Sequence, residues 1–212
     1  MMGAAAPALP ETGLNGYSID SRTILPGELF FAIRGDARDG HEFVAAALAA
    51  GAASAVVERA AAGDDPRLLV VADTRAALQQ LARAARQRWG GRLAAITGSN
   101  GKTTTKEILA ALLATRFRIA KSAGNLNNDL GLPLSLLRMA DDTEIAVMEM
   151  GMNHPGEIRL LAEIAGPQVG IVTNVTPVHL EFFASVDEIA LAKRELIQGL
   201  AEGGTAVLNA DD

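Results

Sequence analysis

A chain of 212 residues, 49% of them apolar, is long enough to bury one or two cores. Its net charge of −6 leaves no basic footprint for nucleic acid, and zero cysteines exclude disulfides and thiolate metal sites. No apolar run is long enough to span a membrane, and residues 1–10 lack the basic start and long apolar core of a signal peptide, so a cytoplasmic protein is expected.

Residues 1–16 are rich in Ala, Pro and Gly and carry no element signal. A short strand is expected over 17–22, a turn at Pro26-Gly27 and a buried strand over 29–33. A polar loop over 35–40 precedes an alanine-rich helix over 41–51, with strands over 54–58 and 68–71. The spacing of Leu78, Leu81, Ala82, Ala85 and Trp89 predicts a helix over 74–89, stopped by Gly90-Gly91. Strands over 92–97, 117–120, 144–149, 169–173 and 205–208 then alternate with helices over 102–115, 130–138, 155–165 and 186–200. Such alternation predicts an α/β fold: a small N-terminal α/β domain (1–72), then a mostly parallel sheet with helices on both faces (73–212).

The most informative stretch is Thr97-Gly98-Ser99-Asn100-Gly101-Lys102-Thr103-Thr104, which joins a strand to a helix. Glycines let backbone N–H groups turn inward, and the helix start and Lys102 supply positive charge. A hydroxyl can hold Mg2+. This is the chemistry of a nucleotide phosphate cradle. The glycine spacing is shorter than the general P-loop pattern, since Ile96 stands where that pattern has its first glycine. A glycine turn capping an ordinary helix is the competing reading.

In an open parallel sheet, ligands gather beyond the carboxyl ends of the strands. Glu149 closes one strand there, and Asn174 and His179 follow another. A buried Glu149 needs a partner, and Mg2+ beside phosphates would satisfy it, as would a backbone amide or an arginine. Lys193 fills the gap in an apolar stripe of Val186, Ile189, Ala190, Leu196, Ile197 and Leu200. A lysine there either snorkels past the core edge or turns into the site, where a carbamylated form would be a carboxylate able to help hold a metal. Asn125, Asn127 and Asn128 suit both helix capping and binding of a sugar or peptide. Ser21 and Arg22 are weaker candidates, Arg22 for a diphosphate or for a surface ion pair. His41 and His154 are read as structural.

Together these residues resemble the Mur ligases of peptidoglycan synthesis, over residues 18–212. The loop 97–104 is similar to that family's variant phosphate loop, and Lys193 stands fourteen positions after His179, as in the family. The stretches 122–133, 149–158 and 209–211 resemble the branch that joins D-Ala-D-Ala to UDP-N-acetylmuramoyl-tripeptide. The first domain is similar to the module that holds the UDP end of that substrate. The resemblance implies ATP as co-substrate and an acyl phosphate intermediate. It implies that main-chain amides of residues 98–104 cradle the phosphates and that Lys102 serves the β/γ-phosphates. It gives one Mg2+ to Thr103 and Glu149 and a second to His179 and carbamylated Lys193. Ser21, Arg22, Asn125, Asn127 and Asn128 would contact substrate. A monomer is expected. The resemblance also implies an incomplete chain, without the family's C-terminal domain and weak or inactive as a ligase alone. The alternatives are a sister Mur ligase, a folylpolyglutamate synthase, or a non-catalytic nucleotide or UDP-sugar binding module.

Overall fold

Every strand pair among the described residues is parallel, as the alternating pattern requires. The computed structural model describes residues 13–35, 37–58, 65–177 and 182–212. It divides into two compact units, one ending at Leu78 and the other starting at Gln79.

The first unit carries β1 (Gly16–Ser18), β2 (Glu28–Phe31), α1 (Val44–Ala49), β3 (Ser54–Val57) and β4 (Leu68–Val70), with strand order β1-β2-β3-β4. Phe30, Ala32, Val44, Ala47, Ala55 and Val57 lie in its core. Two expected elements are shorter than the pattern suggested. The first strand stops at Ser18, because Asp20 turns back to accept from the Arg22 N–H at 2.9 Å. The helix expected over 41–51 begins as a 3-10 turn, Gly40–Phe43, capped by Asp39.

The chain continues into α2 (Thr74–Trp89), so the division falls inside a helix rather than at residue 73. The Thr74 hydroxyl donates to the Ala32 carbonyl at 3.0 Å, which ties the first turn of α2 to the first unit. Farther along α2, buried Arg86 donates to the Ala165 carbonyl at 2.6 Å.

The second unit contains β5 (Arg92–Thr97), α3 (Lys102–Ala114), β6 (Ile119–Lys121), α4 (Gly131–Leu137), β7 (Ile145–Glu149), α5 (Glu157–Ala165), β8 (Val169–Val172), α6 (Val186–Gln198) and β9 (Thr205–Leu208). Its strand order is β6-β7-β5-β8-β9. Side chains alternate along each strand, so the two sheet faces separate cleanly. Ile96, Val147, Ile119 and Ile171 pack with Ala110, Leu109 and Leu113 of α3. On the opposite face, a Cβ at Gly170 would meet Leu200, Leu196 and Ile197 at 3.0–3.4 Å, so α6 lies close against β8.

Candidate phosphate and metal site

Connections from β5 and β8 leave in opposite directions, so a crevice opens beyond their carboxyl ends. The loop 98–101 and the loop 173–176 meet there. Gly98 has φ +146°, and a Cβ on it would come within 1.9 Å of the Thr173 hydroxyl oxygen. Gly101, at φ +78°, starts α3 in a left-handed conformation that costs glycine little.

The α3 sequence then sets out three polar residues on one face, since Lys106 lies four positions after Lys102 and three after Thr103. The Lys102 ammonium donates to the Gly98 carbonyl at 2.8 Å. Burial pushes its pKa down, and Glu149 partly offsets this. Thr103 donates its hydroxyl proton to Glu149 Oε2 at 2.8 Å. Lys106 is 1% exposed, donates to the Ser122 carbonyl at 2.9 Å, and lies 3.9 Å from Glu149 Oε2.

Glu149 pairs in register with Ile96, which faces α3, so its carboxylate is delivered to this same face. It is 3% exposed and both carboxylate oxygens have a partner. Asn127 donates to Oε1 at 2.8 Å, and the Glu149 N–H donates to the Ser122 hydroxyl at 3.0 Å. Charge compensation comes from Lys106 and hydrogen bonds, which is how a carboxylate is kept at a buried position. Glu149 and Thr103 together offer hard oxygen donors of the kind that suits Mg2+ held between one carboxylate and phosphate oxygens. No group of three or more His, Cys, Asp or Glu able to cage a metal is found among the described residues.

Lys193, at the gap in the apolar stripe of α6, is buried, with 2% exposure. Burial pushes its pKa down to about 8, and the Lys102 charge adds to the effect. Val186, expected on the same stripe, is instead exposed, while Glu195 is buried. Glu195 accepts from the Gly156 and Arg159 N–H groups at 2.9 and 3.0 Å and so caps the start of α5. His179 lies outside the described residues.

The three asparagines divide. Asn127 is committed to Glu149, and a Cβ at Gly151 would meet its side chain at 3.0 Å, so Gly151 makes room for it. Asn128 Oδ1 accepts from the Gly131 N–H at 2.8 Å and supports the start of α4. Asn125 is exposed, and its carbonyl accepts from the Asn127 N–H at 2.8 Å. The cradle is also narrower than expected. The Ser99 and Asn100 N–H groups donate to Asn174, to its carbonyl at 2.9 Å and its Oδ1 at 3.0 Å. In the first unit, Ser21 and Arg22 line a cavity of about 280 Å3 with Phe30 and Arg38. The Arg22 guanidinium is held by Asp20 at 2.6 Å, and that hydrogen bond lowers the Asp20 pKa to about 2. His41 is structural as read: its Nε2 accepts from the Glu58 N–H at 2.9 Å. His154 is exposed beside Glu157.

Sequence reasoning missed Lys106 and the 173–176 contacts. Lys106 carries the same signal as Lys193, a lysine at a core-facing helix position. The loop contacts depend on which strands become neighbours, which spacing does not disclose.

Comparison with known proteins agrees with this geometry. Residues 96–212 match the Mur ligase middle domain, and residues 14–86 match the Mur ligase family catalytic domain. The chain belongs to the Mur ligase family. It is 42% identical over 210 residues to the UDP-N-acetylmuramoyl-tripeptide--D-alanyl-D-alanine ligase of Bacillus subtilis, covering 98% of this chain and 46% of that protein. A MurF crystal structure from Acinetobacter baumannii superposes with a TM-score of 0.88 at 40% identity, over 94% of this chain and 44% of the other. MurF of Thermotoga maritima in complex with ADP gives 0.86 at 38% identity, over 93% and 46%. This Mur ligase chain thus spans under half the length of the relatives it matches.

Proposed function

We propose that this chain provides the nucleotide-binding and UDP-substrate parts of a ligase that joins D-Ala-D-Ala to UDP-N-acetylmuramoyl-tripeptide. The observation that carries it is the Lys102–Thr103–Glu149 cluster at the β5/β8 crevice, in a chain 42% identical to such a ligase. Its two parts are the first unit for the UDP end and the second for ATP.

In the reaction, a carboxylate oxygen of the tripeptide attacks the γ-phosphorus of ATP and ADP departs. The amine of D-Ala-D-Ala then attacks the acyl carbon, phosphate departs and the amine loses its proton, leaving an amide. The protein's task is to bring two anions together and to neutralise charge. Lys102 would move from its two carbonyl partners, Gly98 and Ser99, to the β/γ-phosphate oxygens. The N–H groups at the start of α3 would complete the cradle. Thr103 and Glu149 would hold one Mg2+, with Asn127 and Lys106 keeping the carboxylate aimed. His179 and carbamylated Lys193 would hold a second, and a lysine with a lowered pKa is suited to reaction with CO2. Bound there, Mg2+ would screen the phosphate charge that repels the attacking carboxylate. Asn125 and Arg22 are left as substrate contacts, Arg22 by exchanging Asp20 for a diphosphate.

The test is binding to the purified chain. ADP should bind more tightly with Mg2+, and UDP-N-acetylmuramoyl-tripeptide should bind in preference to the dipeptide precursor. Preference for the dipeptide would move the reading to the sister ligase that adds the third residue. Indifference to both, with stimulation by a folate, would favour the folylpolyglutamate synthase reading. Amide formation should be absent or weak, since the relatives carry over half their length outside the matched part. Ready amide formation by the chain alone would overturn that expectation. ADP bound with no response to Mg2+ would favour a binding module without ligase chemistry.

A further inference from the structure

The loop after β8 does more than neighbour the phosphate loop. Three successive peptide groups of the phosphate loop are held by residues 173 and 174. The Ser99 N–H donates to the Asn174 carbonyl at 2.9 Å, and the Asn100 N–H to Asn174 Oδ1 at 3.0 Å. The Asn100 carbonyl then accepts from the Thr173 hydroxyl at 2.6 Å and from Asn174 Nδ2 at 3.2 Å. A trans peptide is planar, with its C=O and N–H on opposite edges. The Gly98–Ser99 and Ser99–Asn100 peptides therefore turn their carbonyls away from Asn174. Those are the two carbonyls that meet the Lys102 ammonium, at 2.8 and 3.4 Å. The next peptide is flipped. Its carbonyl faces residues 173 and 174, so the Gly101 N–H points toward the Lys102 side.

We propose that Asn174 is a positioning residue for the phosphate loop. Its side-chain amide grips both polar groups of Asn100, and its own carbonyl grips Ser99, so that the flip at Asn100 aims the Gly101 N–H at the bound phosphates beside Lys102. Asn174 itself touches no phosphate. Its alignment rests on the loop being a nucleotide site, the reading given above. The Ser99 hydroxyl, which donates to the Thr176 carbonyl at 3.1 Å and accepts from the Thr176 N–H at 2.9 Å, is likewise turned to this support and not to the ligand.

The test measures the affinity of the 212-residue chain for a fluorescent ADP analogue, with thermal stability measured in parallel. Asn174→Ala removes both side-chain bonds to Asn100 and should weaken ADP binding about tenfold. Thr173→Val keeps the shape and removes one donor to the Asn100 carbonyl, and should weaken it about threefold. Thr176→Val removes the contact to the Asn100 side chain at 3.1 Å and leaves the three peptides held, so affinity should stay within about twofold of wild type. Loss of affinity in this order, with melting temperatures close to wild type, supports the proposal. Wild-type affinity in Asn174→Ala overturns it. If that variant fails to fold, Thr173→Val decides, and unchanged affinity there overturns it. A wild-type chain that binds no ADP overturns the nucleotide reading and this proposal together, whereas binding lost in Lys102→Ala but kept in Asn174→Ala removes this proposal alone.

Discussion

In the first unit the strands lie side by side in chain order, β1-β2-β3-β4, whereas in the second they lie β6-β7-β5-β8-β9. Successive connections in the first sheet all step the same way. In the second, the paths from β5 and β8 diverge, and two strand-end loops face each other there across a crevice. The buried polar groups follow this difference. In the first unit, Ser18, His41 and Thr74 bond to nearby backbone and close the fold. In the second, Lys106 and Glu149 lie within reach of one another at the crevice, and Lys193 lies close enough to Lys102 to feel its charge. Arg86 and Glu195 show that the second unit also buries charge for plain structural ends, at the termini of α5. Strand order, more than composition, decides which polar residues are free for chemistry.

The largest effect is expected at Lys106. Lys106→Met removes the ammonium nearest Glu149, and a buried charge stripped of its partner should cost about 3 kcal/mol of stability. Denaturant unfolding measures this, and Mg2+ should recover part of the loss by taking over the compensation. A loss below about 1 kcal/mol would show that Thr103 and Asn127 suffice for Glu149.

Next comes Lys102→Ala, which should weaken ADP about thirtyfold, close to 2 kcal/mol, with stability little changed. Titration of the chain with ADP measures it, and equal affinity would remove Lys102 from the site. The first unit supplies the contrast. His41→Ala leaves the Glu58 N–H without its acceptor and should cost about 1.5 kcal/mol of stability while ADP affinity stays unchanged. A fall in ADP affinity there would end the division between a structural and a chemical set.

The smallest effect is a pH dependence set by Lys193. Lys193 has a folded-state pKa of about 8 against the ordinary 10.5. Between those values the unfolded chain holds more protons than the folded one, so stability rises with pH through that window. Below about 8 the cost of burying the ammonium is fully present. In metal-free and bicarbonate-free buffer, the melting temperature should climb by about 3 °C from pH 8 to 10, and Lys193→Met should abolish the climb. An equal climb in both proteins would place its source elsewhere.

Much of this arrangement is legible in the sequence because it follows from short periods. The strand–loop–helix at 92–114 and the order of elements after it are read from apolar runs and glycines. Lys193 is read from one gap in an apolar stripe. Lys106 escapes notice because Ile108 and Leu112 suggest an apolar face that α3 in fact turns outward, at 57% and 64% exposure. The division of Asn127 from Asn128 depends on a half-turn of loop geometry. The grip of Asn174 on the phosphate loop arises only once β5 and β8 are neighbours, a contact across more than seventy residues of chain.

One consequence follows from the three polar residues that share a face of α3. An α-helix advances about 100° per residue, so Lys102, Thr103 and Lys106 meet their partners at only one rotational setting. The number of residues between Gly98 and Lys102 sets that angle, like the phase of a screw thread. One residue added there, with the helix still starting at the same point, would rotate the face by about 100° and carry Thr103 away from Glu149. The short glycine spacing is thus the length that keeps cradle and carboxylate in phase.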